Sequence, residues 1–163
     1  MSLGSNTGDR AANLHAAIGR LSQVGNVLAV SSFYETEPVE FVSQPWFLNC
    51  AVSLETDKSP SQLLQGVLAI EQAMERSRTQ DKGPRNIDID ILLYGDLGVE
   101  EKGLRIPHPG LAARRFVLEP LAEIAPDALH PILKKTAREL LNALPPGQIV
   151  RRLPRDPKDD PKD

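Results

Sequence analysis

Two aspartates stand one residue apart in the segment GPRNIDIDILLYG, which covers residues 83–95. Asp88 and Asp90 alternate there with isoleucines, and a period of two between polar and apolar residues is typical of a β-strand. In a strand, both carboxylates point to one face, about 7 Å apart, while the isoleucines point to the other face. Because two ionised carboxylates at that distance repel each other, a positive charge is needed to balance them.

Three kinds of chemistry would explain this acidic pair. The carboxylates could form ion pairs with arginines of the neighbouring loop, which is the simplest structural explanation. They could hold a divalent cation such as Mg²⁺, which prefers oxygen ligands and takes one or two carboxylates together with substrate phosphates. They could also act as a general acid and base, but the sequence offers no apparent partner group for that role.

Basic residues frame the pair on both sides. Those before the strand are Arg76, Arg78, Lys82 and Arg85, and those after the segment IPHPGLA are Arg114 and Arg115. Guanidinium groups bind phosphate oxygens with bidentate geometry. Carboxylates between two arginine clusters therefore favour a site for a polyphosphate with a metal ion. The pattern GxxxxGK[ST] does not occur in the sequence, which excludes a P-loop nucleotide site.

The elements that position these residues are predicted in the order β-α-β-β-α-β. A helical pattern begins at Asp9, which is expected to be its N-cap or an acid of its first turn. Strand patterns cover residues 26–39 and 47–56, and a second helix begins at Pro60 with Ser59 as its N-cap. The aspartate strand follows. This order is the ferredoxin-like arrangement of an α+β protein.

The remaining segments complete the predicted domain. Helical patterns lie near residues 111–123 and 134–144, after the aspartate strand. Residues 35–46 contain two prolines without a clear period, and long loops of this kind often carry function. We expect one domain over residues 1–150 and a disordered, charged and proline-rich tail over residues 151–163.

Composition excludes several classes of protein. The chain has 163 residues, a net charge of -3 and a pI of about 5.6, so no overall basic field predicts binding to nucleic acid. No apolar run approaches the roughly 20 residues that span a bilayer, and the N-terminus does not have the pattern of a secretory signal. The single cysteine, Cys50, lies in an apolar run and is predicted to be a buried structural thiol. We expect a cytoplasmic protein that binds neither nucleic acid nor membranes.

Four segments together resemble the 6-hydroxymethyl-7,8-dihydropterin pyrophosphokinases of folate biosynthesis. They are LGSNTGDR, SSFYETEPV with QPWFLNCAV, DKGPRNIDIDIL and IPHPGLAARRFVLEPLAEIAP, and they occur in family order across residues 3–126. The family fold is ferredoxin-like, in agreement with the predicted element order. The resemblance implies transfer of pyrophosphate from ATP to the pterin hydroxymethyl group, with two Mg²⁺ ions and a monomeric enzyme acting on small molecules.

The resemblance also implies a role for each site residue. Asp88 and Asp90 would be the metal ligands and would form the catalytic set with Arg76 and Arg85. The residues expected to contact ATP are Arg76, Arg78, Arg85, Ile91, His108 and Arg114. Those expected to contact the pterin are Thr36, Phe47, Asn49 and Phe116, which supply two rings for a flat heterocycle and an amide for its edge. The chain departs from the common family pattern at Lys82, Arg105 and Pro109.

Two rival functions share part of this pattern. RNA-recognition domains have the same element order, but they need aromatic residues on the central strands for base stacking, where this chain has aspartates. Another two-metal phosphoryl or nucleotidyl transferase is the enzymatic rival. The products made from ATP separate these enzymes, because AMP indicates pyrophosphoryl transfer, ADP a simple kinase and pyrophosphate a nucleotidyltransferase.

Overall fold

The computed structural model describes residues 1–37, 45–75 and 86–155. The strands in these ranges are β1 (Ser2–Ser5), β2 (Asn26–Val30), β3 (Tyr34–Thr36), β4 (Phe47–Glu55), β5 (Asp88–Asp90), β6 (Val99–Glu101), β7 (Leu104–Ile106) and β8 (Val150–Arg152). The α-helices are α1 (Arg10–Arg20), α2 (Pro60–Glu75), α3 (Arg115–Ile124) and α4 (Ala137–Asn142). The elements up to β5 have the predicted α+β order, except that one predicted strand is divided into β2 and β3.

The central sheet is antiparallel, with the strand order β5-β1-β4-β3-β8, and β2 also pairs with β4. This is the ferredoxin-like order. Helix α1 connects β1 to β2 and α2 connects β4 to β5, and in both cases the two connected strands are not adjacent in the sheet. β6 and β7 form a separate hairpin. The predicted strand over residues 26–39 is interrupted after Val30, although Ser31 N still donates to the Ala51 carbonyl at 2.9 Å.

Both long helices begin at the predicted caps. The Asp9 side chain accepts a hydrogen bond from Ala12 N at 3.0 Å at the start of α1. At the start of α2, Ser59 Oγ accepts from Gln62 N at 3.2 Å and Pro60 is the first helical residue. These caps satisfy backbone donors that have no partner inside the helix.

The sheet has one apolar face and one polar face. Leu3, Cys50 and Ile89 lie on the face covered by α1 and α2, and all three are buried in the main core. On the opposite face, Gly4 of β1 is paired with Asn49 of β4 and with Asp88 of β5. Residues paired across an antiparallel sheet share a face, so the register brings these three positions into one row.

A second core lies over the polar face. Its buried members include Leu92, Leu111, Leu118, Leu121 and Leu140, which join α3 and α4 to the end of the aspartate strand. The predicted helices near 111–123 and 134–144 are therefore confirmed, with shorter bounds. The alternation of the aspartate strand also predicts that Leu93 continues the row of isoleucines into the main core, and this prediction is wrong. Strand β5 ends at Asp90, and Leu92 and Leu93 pack in the second core instead.

The C-terminal segment contradicts part of the predicted disordered tail. Arg151 and Arg152 belong to β8, which pairs with β3. Arg151 Nη2 donates to Glu35 Oε2 at 2.8 Å, and this hydrogen bond holds the pKa of Glu35 below its usual value. Acidic side chains of the neighbouring strand and helix compensate the charge of these arginines. Composition alone does not reveal this pairing. Residues 156–163 lie outside the described residues.

Glu123 on α3 joins the helix to the interruption between β2 and β3. One carboxylate oxygen accepts from Ser32 N at 2.8 Å and from Ser32 Oγ at 3.2 Å, while the other accepts from Tyr34 Oη at 2.6 Å. Arg155 and Arg152 approach the same carboxylate at 3.4 Å and 3.7 Å. Burial raises the pKa of Tyr34, and its hydrogen bond to Glu123 acts in the same direction. This network fixes α3 over the polar face.

We predict that Glu123→Ala lowers the free energy of unfolding by about 2–4 kcal/mol, because it leaves several partly buried donors unpaired. Glu119→Ala on the same helix is the matched control. Glu119 pairs with Arg115 at 3.4 Å, and its side chain is 29 % exposed against 13 % for Glu123. The control should cost less than about 1 kcal/mol. Equal losses for the two variants in urea unfolding would contradict the role of Glu123.

Candidate active site

A cavity of about 200 Å³ opens on the polar face of the sheet, under α3. We call it the aromatic cavity. It contains all four residues predicted for the pterin and three of the predicted charged residues, namely Thr36, Phe47, Asn49, Phe116, Asp88, Asp90 and Arg114. The rest of its lining is Ser2, Gly4, Glu37 and Gln148.

The register of the sheet explains why distant segments meet in this cavity. Asn49 is paired with Gly4 on one side and with Tyr34 on the other, and Phe47 is paired with Thr36. These side chains therefore share the face that carries the two aspartates. Asn49 Nδ2 donates to Thr36 Oγ1 at 2.8 Å, and both residues are buried. The amide of Asn49 is thus held in one orientation.

Gly4 allows Asn49 to lie across β1. A Cβ atom at this position would come within 2.6 Å of Asn49 Oδ1, which is far inside van der Waals contact. The sequence motif LGSN therefore contributes a residue whose lack of a side chain shapes the cavity. Sequence reasoning missed Gly4 and Ser2, although both alternate with the buried Leu3 and share a face with the aspartates.

The two aromatic rings come from different layers. Phe47 belongs to β4 in the sheet, and Phe116 belongs to α3, which packs against β4. The guanidinium of Arg114 lies 5.8 Å from the centre of the Phe116 ring. Gly110 provides the space for it, because a Cβ atom there would come within 2.6 Å of Arg114 Nε. A flat ligand between the two rings would therefore have a cation close to it.

The neighbouring Arg115 has a different role. Its guanidinium donates to the carbonyl of Pro145 at 3.3 Å and pairs with Glu119 at 3.4 Å. It ties α3 to the segment that follows α4 and does not line the aromatic cavity. Only the first of the two consecutive arginines therefore belongs to this part of the site.

The residues just before β5 are held by the N-terminal motif. Thr7 Oγ1 donates to Asn86 Oδ1 at 3.1 Å, two residues before Asp88. Asn13 Nδ2 holds the same turn by donating to Ser5 Oγ at 3.2 Å and to the Thr7 carbonyl at 2.9 Å. The segment LGSNTGDR is thus a support for the aspartate strand.

Asp88 and Asp90 have the donor chemistry that suits Mg²⁺. Asp88 is partly buried, Asp90 is exposed, and both line the aromatic cavity. No group of three or more potential metal ligands occurs among residues 1–37, 45–75 and 86–155. Mg²⁺ commonly takes one or two carboxylates and completes its shell with phosphate oxygens and water, so two carboxylates fit this ion.

A second and larger cavity, of about 640 Å³, adjoins Asp90 on the side of the β6–β7 hairpin. We call it the hairpin cavity. Asp90 lines both cavities, and Ile91 and His108, which are expected to contact ATP, line the hairpin cavity. His108 Nδ1 accepts from Gly110 N at 3.0 Å. Because Nδ1 accepts this hydrogen bond, the N–H of the ring at Nε2 is able to donate to an anionic oxygen.

Several further residues are placed by the structure. Arg105 and Pro109, which depart from the family pattern, line the hairpin cavity, and Arg105 donates to Glu100 Oε1 at 3.0 Å. Cys50 is buried, and burial raises the pKa of its thiol to about 12, as expected for a structural cysteine. The predicted cationic residues of the loop before β5 lie outside the described residues; they are Arg76, Arg78, Lys82 and Arg85.

Comparison with known proteins gives a consistent result. The model of the family described as 7,8-dihydro-6-hydroxymethylpterin-pyrophosphokinase (HPPK) matches residues 1–126. The chain is 44% identical over 153 residues to the 2-amino-4-hydroxy-6-hydroxymethyldihydropteridine pyrophosphokinase of Methylorubrum extorquens, covering 93% of this chain and 96% of that protein. It is 45% identical over 147 residues to the Schizosaccharomyces pombe folic acid synthesis protein fol1, covering 89% of this chain but 20% of that protein.

Solved structures share the fold. The chain of wild-type Plasmodium falciparum HPPK-DHPS crystallised with STZ-DHP superposes with a TM-score of 0.70 and 18% sequence identity, over 86% of this chain and 42% of that chain. This chain therefore spans less than half of this structural neighbour and about a fifth of fol1. In the described part of the chain, none of the helices has the length and apolar character needed to cross a membrane.

We predict that Gly4→Ala displaces the Asn49 amide from Thr36 and lowers the free energy of unfolding by about 1–3 kcal/mol, because the added methyl group overpacks the floor of the cavity. Side-chain amide resonances of Asn49 would report the displacement. Gly19→Ala is the matched control, since a Cβ atom at Gly19 in α1 meets nothing within 4 Å. That change should leave the protein equally stable or stabilise it by up to about 1 kcal/mol. Unchanged Asn49 resonances in Gly4→Ala would refute the prediction.

Proposed function

The chain belongs to the 7,8-dihydro-6-hydroxymethylpterin-pyrophosphokinase family, and from this membership we propose that it transfers pyrophosphate from ATP to 6-hydroxymethyl-7,8-dihydropterin. One structural observation connects the proposed reaction with the two cavities. Asp90 lies where the aromatic cavity adjoins the hairpin cavity. A flat heterocycle in the first cavity and a nucleotide in the second would have their reacting groups beside the same two carboxylates.

The reaction joins the hydroxymethyl oxygen of the pterin to the β-phosphorus of ATP. The bond between the β-phosphorus and the oxygen that bridges it to the α-phosphorus breaks, and AMP leaves with that oxygen. The β- and γ-phosphates move together, and the proton of the hydroxyl group is released. Catalysis of such a transfer depends mostly on positioning and on stabilising charge in the transition state.

Asp88 and Asp90 are proposed to hold Mg²⁺. Bound there, Mg²⁺ would neutralise charge on the phosphate oxygens and draw the nucleotide toward the acceptor. The two carboxylates point to one face because they are separated by a single residue in β5. The family implies two ions, and phosphate oxygens and water would complete their shells.

The aromatic cavity is proposed to hold the pterin. Phe47 and Phe116 would contact its two flat faces, and the amide of Asn49 would hydrogen-bond its edge. The hydrogen bond from Asn49 to Thr36 sets the amide before the ligand arrives. A preorganised amide reduces the entropy that binding would otherwise cost.

The hairpin cavity is proposed to hold ATP, with Ile91 at its wall and His108 Nε2 as a donor to phosphate. Arg114 lies in the aromatic cavity beside the aspartates, where its charge can reach the transferred phosphates. Arg76, Arg78 and Arg85 are expected to supply the remaining cations, with Arg76 and Arg85 acting in catalysis.

We further propose that the working enzyme is a cytoplasmic monomer. The resemblance to the pyrophosphokinase family is what supports a monomer. The lone buried thiol of Cys50 is compatible with a reducing compartment.

The products formed from ATP test the proposed reaction directly. Incubation with Mg²⁺, ATP and 6-hydroxymethyl-7,8-dihydropterin should yield AMP and the pterin diphosphate in equal amounts. Chromatographic separation of nucleotides would measure both. ADP as the nucleotide product would indicate a simple kinase, and free pyrophosphate with a nucleotidylated pterin would indicate a nucleotidyltransferase. Either result would overturn the proposal.

We predict that Asp88→Asn and Asp90→Asn each lower kcat/KM by at least about 100-fold at saturating Mg²⁺, because each change removes a charged ligand of the cation. The fold should be retained, since loss of one charge relieves repulsion in the pair. Asp96→Asn is the control, because Asp96 is exposed and lines neither cavity. Activity of either site variant close to that of Asp96→Asn would show that the metal assignment is wrong.

A further inference from the structure

We propose that Gln148 is a specificity-determining residue of the pterin cavity, supplied by the C-terminal segment. The inference rests on the function proposed above and adds a residue to its substrate site. Gln148 lines the aromatic cavity together with Asn49, Phe47 and Phe116. It lies just before β8, in a part of the chain that contains none of the recognised motifs. The charged and proline-rich sequence from residue 151 onward had predicted disorder.

The Gln148 side chain is held in place by the segment that leaves β3. Gln148 Nε2 donates to the Glu37 carbonyl at 2.9 Å, and Glu37 N donates to the Ile149 carbonyl at 3.1 Å. These bonds continue the pairing of β8 with β3, in which Val150 lies opposite Thr36. The wall that carries Gln148 is therefore an extension of the same sheet that carries Asn49.

The segment after Gln148 is fastened at several points. Leu153 N donates to the Phe33 carbonyl at 2.8 Å, and Arg155 Nη2 donates to the Val30 carbonyl at 3.0 Å. Arg151 pairs with Glu35 at 2.8 Å, and its guanidinium lies 5.8 Å from the centre of the Trp46 ring. A side chain on a segment held at so many points keeps its position when a ligand arrives, which a substrate-reading group requires.

The amide of Gln148 has hydrogen-bonding capacity to offer a ligand. A side-chain amide has two N–H donors and a carbonyl acceptor. Within the described residues, this amide makes the one hydrogen bond to Glu37. Its carbonyl oxygen and second N–H can therefore meet the edge of a bound heterocycle at the mouth of the cavity.

The two phenylalanine rings cannot distinguish one flat heterocycle from another, because stacking tolerates any aromatic face. Discrimination must come from polar groups that remain unpaired when the wrong edge is presented. Asn49 and Gln148 are the side-chain amides among the described residues that line the cavity. Asn49 already donates to Thr36, so Gln148 shares with it the task of reading the heterocycle edge.

Gln148→Met tests the inference, because methionine preserves length and apolar contact but removes the amide. Ile149→Ala is the matched control on the same segment, since Ile149 is 54% exposed and does not line the cavity. The full chain with Mg²⁺ and a non-hydrolysable ATP analogue would be titrated with 6-hydroxymethylpterin. A second titration would use 6-hydroxymethyllumazine, in which a carbonyl replaces the 2-amino group.

We expect Gln148→Met to weaken binding of the pterin by about tenfold, the loss of roughly one hydrogen bond to a buried edge. Its preference for pterin over lumazine should fall by at least about threefold. Affinity for the ATP analogue should stay within about twofold of wild type, which a general loss of structure would not allow. Ile149→Ala should match wild type in all three measurements.

The outcomes separate the two proposals. A wild-type protein that binds neither heterocycle would overturn the proposed function and this inference with it. A wild-type protein that binds the pterin, with Gln148→Met equal to Ile149→Ala in affinity and in preference, would overturn only the role of Gln148. Equal weakening of pterin and nucleotide binding in Gln148→Met would also overturn it, since the change would then act on the fold.

Discussion

The strand register of the central sheet is the constraint on which the whole site depends. Gly4 is paired with both Asp88 and Asn49, and this pairing places the carboxylate proposed to hold Mg²⁺ and the amide proposed to contact the pterin in one row. A shift of one residue would turn Asp88 into the core beneath the helices and expose Ile89. Burial of an unpaired carboxylate is so costly that the wrong register is strongly disfavoured. The alternation that buries Leu3 and Ile89 is therefore the same alternation that places the candidate site residues on the opposite face of the sheet.

Helix α3 converts this open face into a cavity. At its first turn it brings Phe116 and the preceding Arg114 over the sheet, and near its end Glu123 takes hydrogen bonds from Ser32 and Tyr34. The helix is thus held at the end away from the ligand, by a contact with the interruption between β2 and β3. That interruption has a structural use, because a continuous strand would direct its backbone N–H groups to neighbouring strands and leave Ser32 N unable to reach Glu123. Fold and site are linked here through one carboxylate.

Sequence patterns predicted the parts of the molecule in which local chemistry and tertiary structure agree. The helix caps at Asp9 and Ser59 and the common face of Asp88 and Asp90 follow from residue types and a period of two. The strand break after Val30 was missed because valine, serine and phenylalanine are all acceptable in a strand, and the partner that favours the break lies far away on α3. Strand β8 was missed because VRRLPRD looks disordered until Glu35 and Glu123 supply the opposite charges. Gln148 has no local signal, since only the pairing of β8 with β3 carries it to the cavity.

The two proposed substrates are recognised by different physical means. An uncharged flat pterin requires shape and hydrogen bonds, and the aromatic cavity has both, with Asn49 already oriented by Thr36. A nucleotide triphosphate requires charge compensation, because Asp88 and Asp90 add to its negative charge and a chain with a net charge of -3 has no overall field to attract it. Cations must therefore be concentrated locally, by Mg²⁺ on the carboxylates and by Arg114 beside them. Asp90 is the residue where the two requirements meet, since a cation held there is adjacent to the cavity for the acceptor and to the cavity for the donor. In the proposed complex, the carboxylate that makes nucleotide binding depend on a metal would thus place that metal at the point of transfer.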